Sequence, residues 1–167
     1  MACNDKRPLV VVLMGSESDW DTMIRTHKML AEFDVPHVCR VLSAHRTPDL
    51  VAEFVRQSEA NGVEVFIAGA GLAAALPGAV AALTTRPVFG VPIQVGALNG
   101  HDALLAMAQM PPGIPVGALA IGTPGATNAA LLAIAVLANK YPEYEEKLKA
   151  YRVAQAEKIS KITLPCE

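Results

Sequence analysis

The chain has few aromatic residues: one Trp, three Tyr and four Phe, 5% of 167 residues. Charge is also scarce, at 18%, and nearly balanced, with a formal net charge of -2. No surplus of Lys and Arg exists to neutralise a phosphate backbone, which argues against a nucleic-acid partner. The three cysteines, Cys3, Cys39 and Cys166, have no metal-ligand spacing and read as reduced thiols of a cytoplasmic protein. The polar start, Met1-Ala2-Cys3-Asn4-Asp5-Lys6-Arg7, lacks the apolar run of a signal peptide. The most apolar stretch, 65–82, is broken by three glycines and a proline, so it does not read as a membrane helix. A soluble protein with no membrane partner is expected.

What the chain does have is small apolar side chains. Hydrophobic residues reach 52%, with alanine and valine prominent and glycine plentiful. Such a composition excludes disorder for most of the chain. The length suits one domain, spanning 1–167, with a core at about 9–139. Small side chains let elements approach closely but bury little area each, so a homo-oligomer is expected to supply the remaining burial.

The pattern along the chain alternates between strand and helix. The apolar, β-branched run from Leu9 to Met14 stops at Gly15, as a strand buried on both faces of a parallel sheet would. Ser16 and Ser18 offer N-caps to a helix from Asp19 to Phe33. His37 to Leu42 is a second strand, and Thr47-Pro48-Asp49 opens a helix that ends near Asn61-Gly62. Further strands are expected at Val63 to Ala68, Pro87 to Val91 and Ala118 to Ile121. Helices are expected at Leu76 to Leu83, Asp102 to Gln109 and Thr127 to Asn139. This order implies right-handed crossovers in an α/β sandwich with helices on both faces of a parallel sheet. A charged, helix-prone C-terminal segment, Pro142 to Ile162, reads as an amphipathic helix packed on the core or on a neighbour.

Ligands of such folds bind beyond the carboxyl ends of the strands, so the loops from Gly15, Ser43, Gly69, Pro92 and Gly122 are the ones to inspect. Gly15-Ser16-Glu17-Ser18-Asp19 joins a strand end, two hydroxyls and a fresh helix N-terminus, which suits a phosphate; on its own so short a pattern is more often an ordinary N-cap. Ser43-Ala44-His45-Arg46-Thr47 sets a histidine beside a fixed planar cation. A positive neighbour disfavours imidazolium, leaving His45 able to accept a proton. The loop from Ala68 to Gly78 is almost all small side chains, so its backbone can press against a flat ring. His27 and His37 read as surface or packing residues, and His101 as at most a supporting group. No Schiff-base lysine, metal cluster or Ser–His–Asp order presents itself, and Gly-x-Gly-x-x-Gly does not follow a strand. Neither cofactor nor metal is expected.

Taken together, these loops resemble one family. Gly15-Ser-Glu-Ser-Asp19, Ser43-Ala-His-Arg-Thr-Pro48 and Ala68-Gly-Ala-Gly71 are similar to the signature loops of N5-carboxyaminoimidazole ribonucleotide mutases. Gln109-Met-Pro-Pro-Gly-Ile-Pro-Val116, Ala120-Ile-Gly122 and Gly125-Ala-Thr-Asn-Ala-Ala-Leu-Leu132 come after them in the same order. The similarity runs from about Leu9 to Arg152. It implies a flavodoxin-like three-layer αβα subunit, a homo-octamer, and a small nucleotide substrate whose carboxylate moves from the exocyclic nitrogen to ring carbon C4. His45 is then the general acid/base. Ser16, Ser18 and Arg46 bind the 5′-phosphate after Gly15, Asp19 binds the ribose, and Ser43, Ala44, Ala70, Gly71 and Leu76 line the base. Two departures stand out. Ala75 occupies a position where many bacterial members carry histidine, and Thr123-Pro124 stands where a lysine or a small residue is common. The alternatives are direct carboxylation of aminoimidazole ribonucleotide by carbon dioxide, and a non-catalytic nucleotide-binding module with no need of His45.

Overall fold

The computed structural model describes residues 7–164; Cys3, Cys166 and the polar start through Lys6 lie outside them. Five strands, β1 (Val10–Met14), β2 (His37–Val41), β3 (Val65–Ala70), β4 (Val88–Pro92) and β5 (Gly117–Ala118), form one sheet in the order β2-β1-β3-β4-β5. Every pairing is parallel. Helices α1 (Trp20–Glu32), α2 (Pro48–Ala60), α3 (Ala75–Ala81), α4 (His101–Ala108) and α5 (Thr123–Ala138) alternate with the strands, and α6 (Pro142–Ser160) ends the series. This strand order is that of the flavodoxin-like, doubly wound fold.

β1 and β3 are buried along their whole length because both faces are covered. Their apolar runs need no polar alternation for that reason. Val10, Val12, Met14 and Ile67 face one layer with Met23, Leu30, Ile134 and Leu137. Val11, Leu13 and Phe66 face the other with Val51, Val55, Val80 and Met107. The small residues of α5 (Ala126, Ala129, Ala130 and Ala133) are fully buried, and they let α1 lie close against it. At that contact the buried Thr26 hydroxyl donates to the Ala126 carbonyl at 2.8 Å.

Several boundaries differ from the sequence expectation. β3 runs through Gly69 and Ala70, because β4 lies beside both: Gly69 pairs with Val91 and Ala70 with Pro92. Gly69 is tolerated in a central strand because Met23 occupies its missing side-chain space; an added Cβ would lie 2.5 Å from the Met23 sulfur. β5 is only two residues long, although Leu119 and Gly122 still donate to the Gly90 and Pro92 carbonyls. α5 starts four residues earlier than expected, with Pro124 in its first turn, where a missing N–H costs nothing. α6 is not amphipathic along its whole length. Tyr144, Leu148 and Tyr151 pack on the core, but Val153 and Ile159 are exposed. None of the helices among the described residues is long and apolar enough to cross a membrane.

Candidate active site

The crossover from β1 leads to β2 on one side of the sheet, and that from β3 leads to β4 on the other. The loops after β1 and β3 therefore diverge and open a crevice at the carboxyl edge.

The first wall is the loop from β1 into α1. Ser16 is extended (φ -149°) and caps a short 3-10 turn over Glu17–Asp19. Its hydroxyl accepts the Ser18 N–H at 3.4 Å and the Ser18 hydroxyl at 3.0 Å, while the Asp19 carboxylate accepts the Ser16 N–H at 3.1 Å. The ordinary capping role and a ligand-facing role thus share the same residues. Burial pushes the Asp19 carboxyl above its usual range, against the opposing pull of the Ser16 and Gly15 N–H groups and the Arg46 cation.

The second wall is a self-closed turn. The Thr47 hydroxyl accepts the Ser43 N–H at 3.0 Å and donates to the Ser43 carbonyl at 3.1 Å, and the Thr47 N–H bonds that carbonyl at 2.9 Å. Arg46 donates to the Ser43 hydroxyl through Nε at 3.3 Å and to the Gly15 carbonyl through Nη2 at 2.6 Å. One guanidinium thereby joins the loops at the ends of β1 and β2. His45 stands exposed on the tip of the turn. Unlike His27, His37 and His101, its imidazole meets no hydrogen-bonding partner among the described residues.

The third wall runs from Ala70 to Leu76. Leu72 and Ala74 both have left-handed backbone, φ 55° and 45°. For non-glycine residues this stores about 1–3 kcal/mol each, a cost that ordered surroundings must offset. Gly71 is required where it stands, because a Cβ there would collide with Val95. The loop after β4 is tied in by the Ile93 N–H, which donates to the Ala70 carbonyl at 2.9 Å.

These walls enclose a cavity of about 590 Å³, a size suited to a small-molecule ligand. Gly15, Ser16, Ser18, Asp19, Ser43, Ala44, His45, Arg46, Ala70, Gly71 and Leu76 all line it, together with the stretch Leu72 to Ala75 and Val95. Ala75 contributes no polar group to the wall. Val95 escaped sequence reasoning: its segment carries no chemical signal beyond its place after a strand end. His101 lies outside the lining, at the start of α4, with Nδ1 3.0 Å from the Leu98 carbonyl. The Gly122 loop contributes nothing to the lining either.

Two other features lie apart from this crevice. A hollow of about 720 Å³ borders Glu59, Thr84, Arg86 and Gly113. Its polar side chains pair with one another, Thr84 donating to Glu59 at 2.8 Å and Arg86 lying 3.5 Å from it, so they present no convergent chemistry. His27 and His37, whose sequence context suits surface or packing residues, meet at 2.8 Å and cluster with Cys39.

A family model described as AIR carboxylase matches residues 9–158. The chain is 52% identical over 151 residues to the N5-carboxyaminoimidazole ribonucleotide mutase of Pseudomonas aeruginosa, covering 90% of this chain and 93% of that protein. It is 53% identical over 156 residues to the bifunctional purine synthesis protein purC/E of Dictyostelium discoideum, covering 93% of this chain but only 16% of that much longer protein. Among solved structures, Treponema denticola PurE superposes with a TM-score of 0.84 at 29% identity, covering 93% of this chain and 96% of that one. Strand order, crevice and sequence agree, and the chain belongs to the AIR carboxylase family.

Proposed function

We propose that this protein converts N5-carboxyaminoimidazole ribonucleotide to 4-carboxy-5-aminoimidazole ribonucleotide in purine biosynthesis, with His45 as the only proton carrier. One observation carries this reading: His45 and Arg46 share a single cavity with Ser16, Ser18 and Asp19 and a wall of small residues. The kinship with relatives named as mutases supports it.

Each part of the cavity suits one part of the substrate. Arg46 carries a fixed charge beside the two serine hydroxyls, and these groups bind the 5′-phosphate. Asp19, 8% exposed and behind them, accepts from the ribose hydroxyls. The small wall from Ala70 to Leu76, with Ser43 and Ala44 opposite, takes the flat imidazole ring. No side chain on that wall can donate a hydrogen bond, so the transferred carboxylate is left to backbone N–H groups, Ser43 and His45.

Protonated His45 gives its proton to the exocyclic nitrogen as the carbamate C–N bond breaks and carbon dioxide is released inside the crevice. Ring carbon C4 then attacks that carbon dioxide, forming the new C–C bond. Neutral His45 removes the C4 proton, which restores the aromatic ring and returns the imidazolium. The net result is one carboxyl group moved and one proton carried from carbon to nitrogen. Such a proton carrier is worth about 10²–10⁴-fold per step. Positioning and exclusion of water supply the rest.

A homo-octamer accompanies this reading, with the reaction in the cytoplasm, where Cys39 stays a free thiol. α5 is apolar around its circumference, and Leu132 on it is exposed in the single chain, as expected of a helix that a neighbour covers. Light scattering of the purified protein tests the assembly.

The decisive experiment supplies either the N5-carboxylated nucleotide or the uncarboxylated nucleotide with bicarbonate, and monitors the product by absorbance. Fast turnover of the first, with the second needing very high bicarbonate, is expected. Efficient use of the second at modest bicarbonate would make the protein a carboxylase, and inactivity with both would leave a binding module.

A further inference from the structure

His37 and Cys39 are two residues apart on β2, so their side chains leave the same face of the strand, the one covered by α1. His27 comes from α1. Its Nδ1 lies 2.8 Å from Nε2 of His37, and one nitrogen of each ring lies with the Cys39 sulfur in a cluster whose atoms are all within 4.8 Å of one another. The other nitrogen of His37, Nδ1, is 2.7 Å from the Val35 carbonyl. A carbonyl only accepts, so Nδ1 carries the proton and the lone pair of Nε2 points into the cluster. A backbone carbonyl holding a histidine in this tautomer is the usual support behind a metal-binding imidazole. A plain histidine–histidine hydrogen bond would need neither the thiol at the third corner nor its partial exposure.

We propose that His27, His37 and Cys39 bind a divalent d-block cation, zinc fitting best, with water completing a tetrahedron. Tetrahedral zinc asks for nitrogens about 3.3 Å apart and a nitrogen–sulfur separation of about 3.6 Å. The rings therefore part by about half an ångström, and the sulfur, within 4.8 Å of a nitrogen of each ring, closes by up to about 1.2 Å. On binding, the Cys39 thiol releases its proton to solvent, and the proton of His27 Nδ1 is replaced by one on Nε2.

The site is independent of the nucleotide crevice. β2 ends at Val41 and the crevice begins beyond it at Ser43, so along the chain His37 is at most roughly 20 Å and Cys39 at most roughly 13 Å from Ser43. β2 lies at the sheet edge and, among the described residues, pairs only with β1. The cation accordingly clamps α1 to that edge strand, and its effect falls on stability rather than turnover.

The test uses the untagged full-length protein carrying Cys3→Ser and Cys166→Ser, so that Cys39 is the sole thiol. Titration with cobalt(II) should saturate at one equivalent per chain, with visible tetrahedral bands and a near-ultraviolet thiolate band that zinc abolishes. Trp20, the single tryptophan, has its ring 5.7 Å from that of His27, so its fluorescence should be quenched over the same titration. Cys39→Ser should erase the thiolate band, and Cys39→Ser or His37→Ala should weaken binding by more than the ~10–100-fold that supporting groups alone are worth. Zinc should raise the thermal midpoint of the parent and leave kcat unchanged. Absence of the thiolate band in the parent, or its survival in Cys39→Ser, would overturn the proposal even if His37→Ala failed to fold.

Discussion

The two ends of the sheet treat polar side chains in opposite ways. At the amino edge, charged groups pair with groups far away in sequence. Glu64 accepts from Lys140 at 2.6 Å and Tyr141 at 2.7 Å, and Lys147 donates to the Phe33 carbonyl and Asp34, both at 2.8 Å. At the carboxyl edge, His45 has no partner among the described residues, Asp19 is buried at a cost, and Leu72 and Ala74 hold left-handed backbone. One edge ties distant segments together, whereas the other, apart from the Arg46 bond to Gly15, keeps groups poised for something outside the chain. A site that reacts cannot also satisfy all its own bonds, so stability has to come from elsewhere in the fold.

Substitutions can break that contrast. The largest effect should come from His45→Asn, which should lower kcat by about 10²–10⁴-fold and leave the thermal midpoint unmoved, since the ring is exposed and unpartnered. A large loss of stability would show that His45 belongs to the fold as well. Arg46→Ala removes a charged donor and should raise KM by about 10–100-fold, as expected for a charge-assisted bond of about 1.5–3 kcal/mol. Arg46→Lys should rescue little, because a point charge cannot reach both Gly15 and the ligand. Substrate titrations on the two variants measure this.

Smaller effects should come from two carboxylates with opposite signs. Glu64 is held below its usual range: burial pushes its carboxyl up, but hydrogen bonds from Lys140 and Tyr141 outweigh it. Its stabilisation is present at neutral pH and lost as pH falls through the lowered value. Glu64→Gln should therefore cost about 0.5–1 kcal/mol near neutrality, the range of partly screened ion pairs, with a loss that shrinks as pH falls through the lowered value and no change in kcat. Asp19, raised by burial, works the other way, because its charged form opposes folding at neutral pH. Asp19→Asn should raise the thermal midpoint slightly at pH 7, by a margin that shrinks in acid, while substrate affinity falls. Urea melts across pH distinguish the pair, and parallel behaviour would end the contrast.

Much of the fold and of the crevice was legible in the sequence, for physical reasons. Short apolar runs rich in β-branched residues and stopped by glycine, such as Leu9 to Met14, read as buried strands, and in a parallel sheet each ends in a loop at the ligand edge. Local pattern could not reveal where a neighbouring strand ends. β3 continues through Gly69 and Ala70 because β4 lies beside them and Met23 fills the gap. Nor does spacing show that His27 meets His37 and Cys39, since a helix and a strand have to pack before those atoms converge. The half of α6 beyond Tyr151 misled for another reason: Val153 and Ile159 have apolar side chains but nothing among the described residues to cover them.

The shortness of β5 has a consequence for life in a crowded solution. An edge strand is a template on which a stray extended segment can add itself, and a long flat edge invites filament growth. Here one border of the sheet presents two paired residues before the chain turns away, and the other, β2, carries the exposed, charged Arg40. An incoming strand would find too few backbone groups in register on the first and a charge to bury on the second. The sheet is thereby closed to uncontrolled extension without being closed into a barrel.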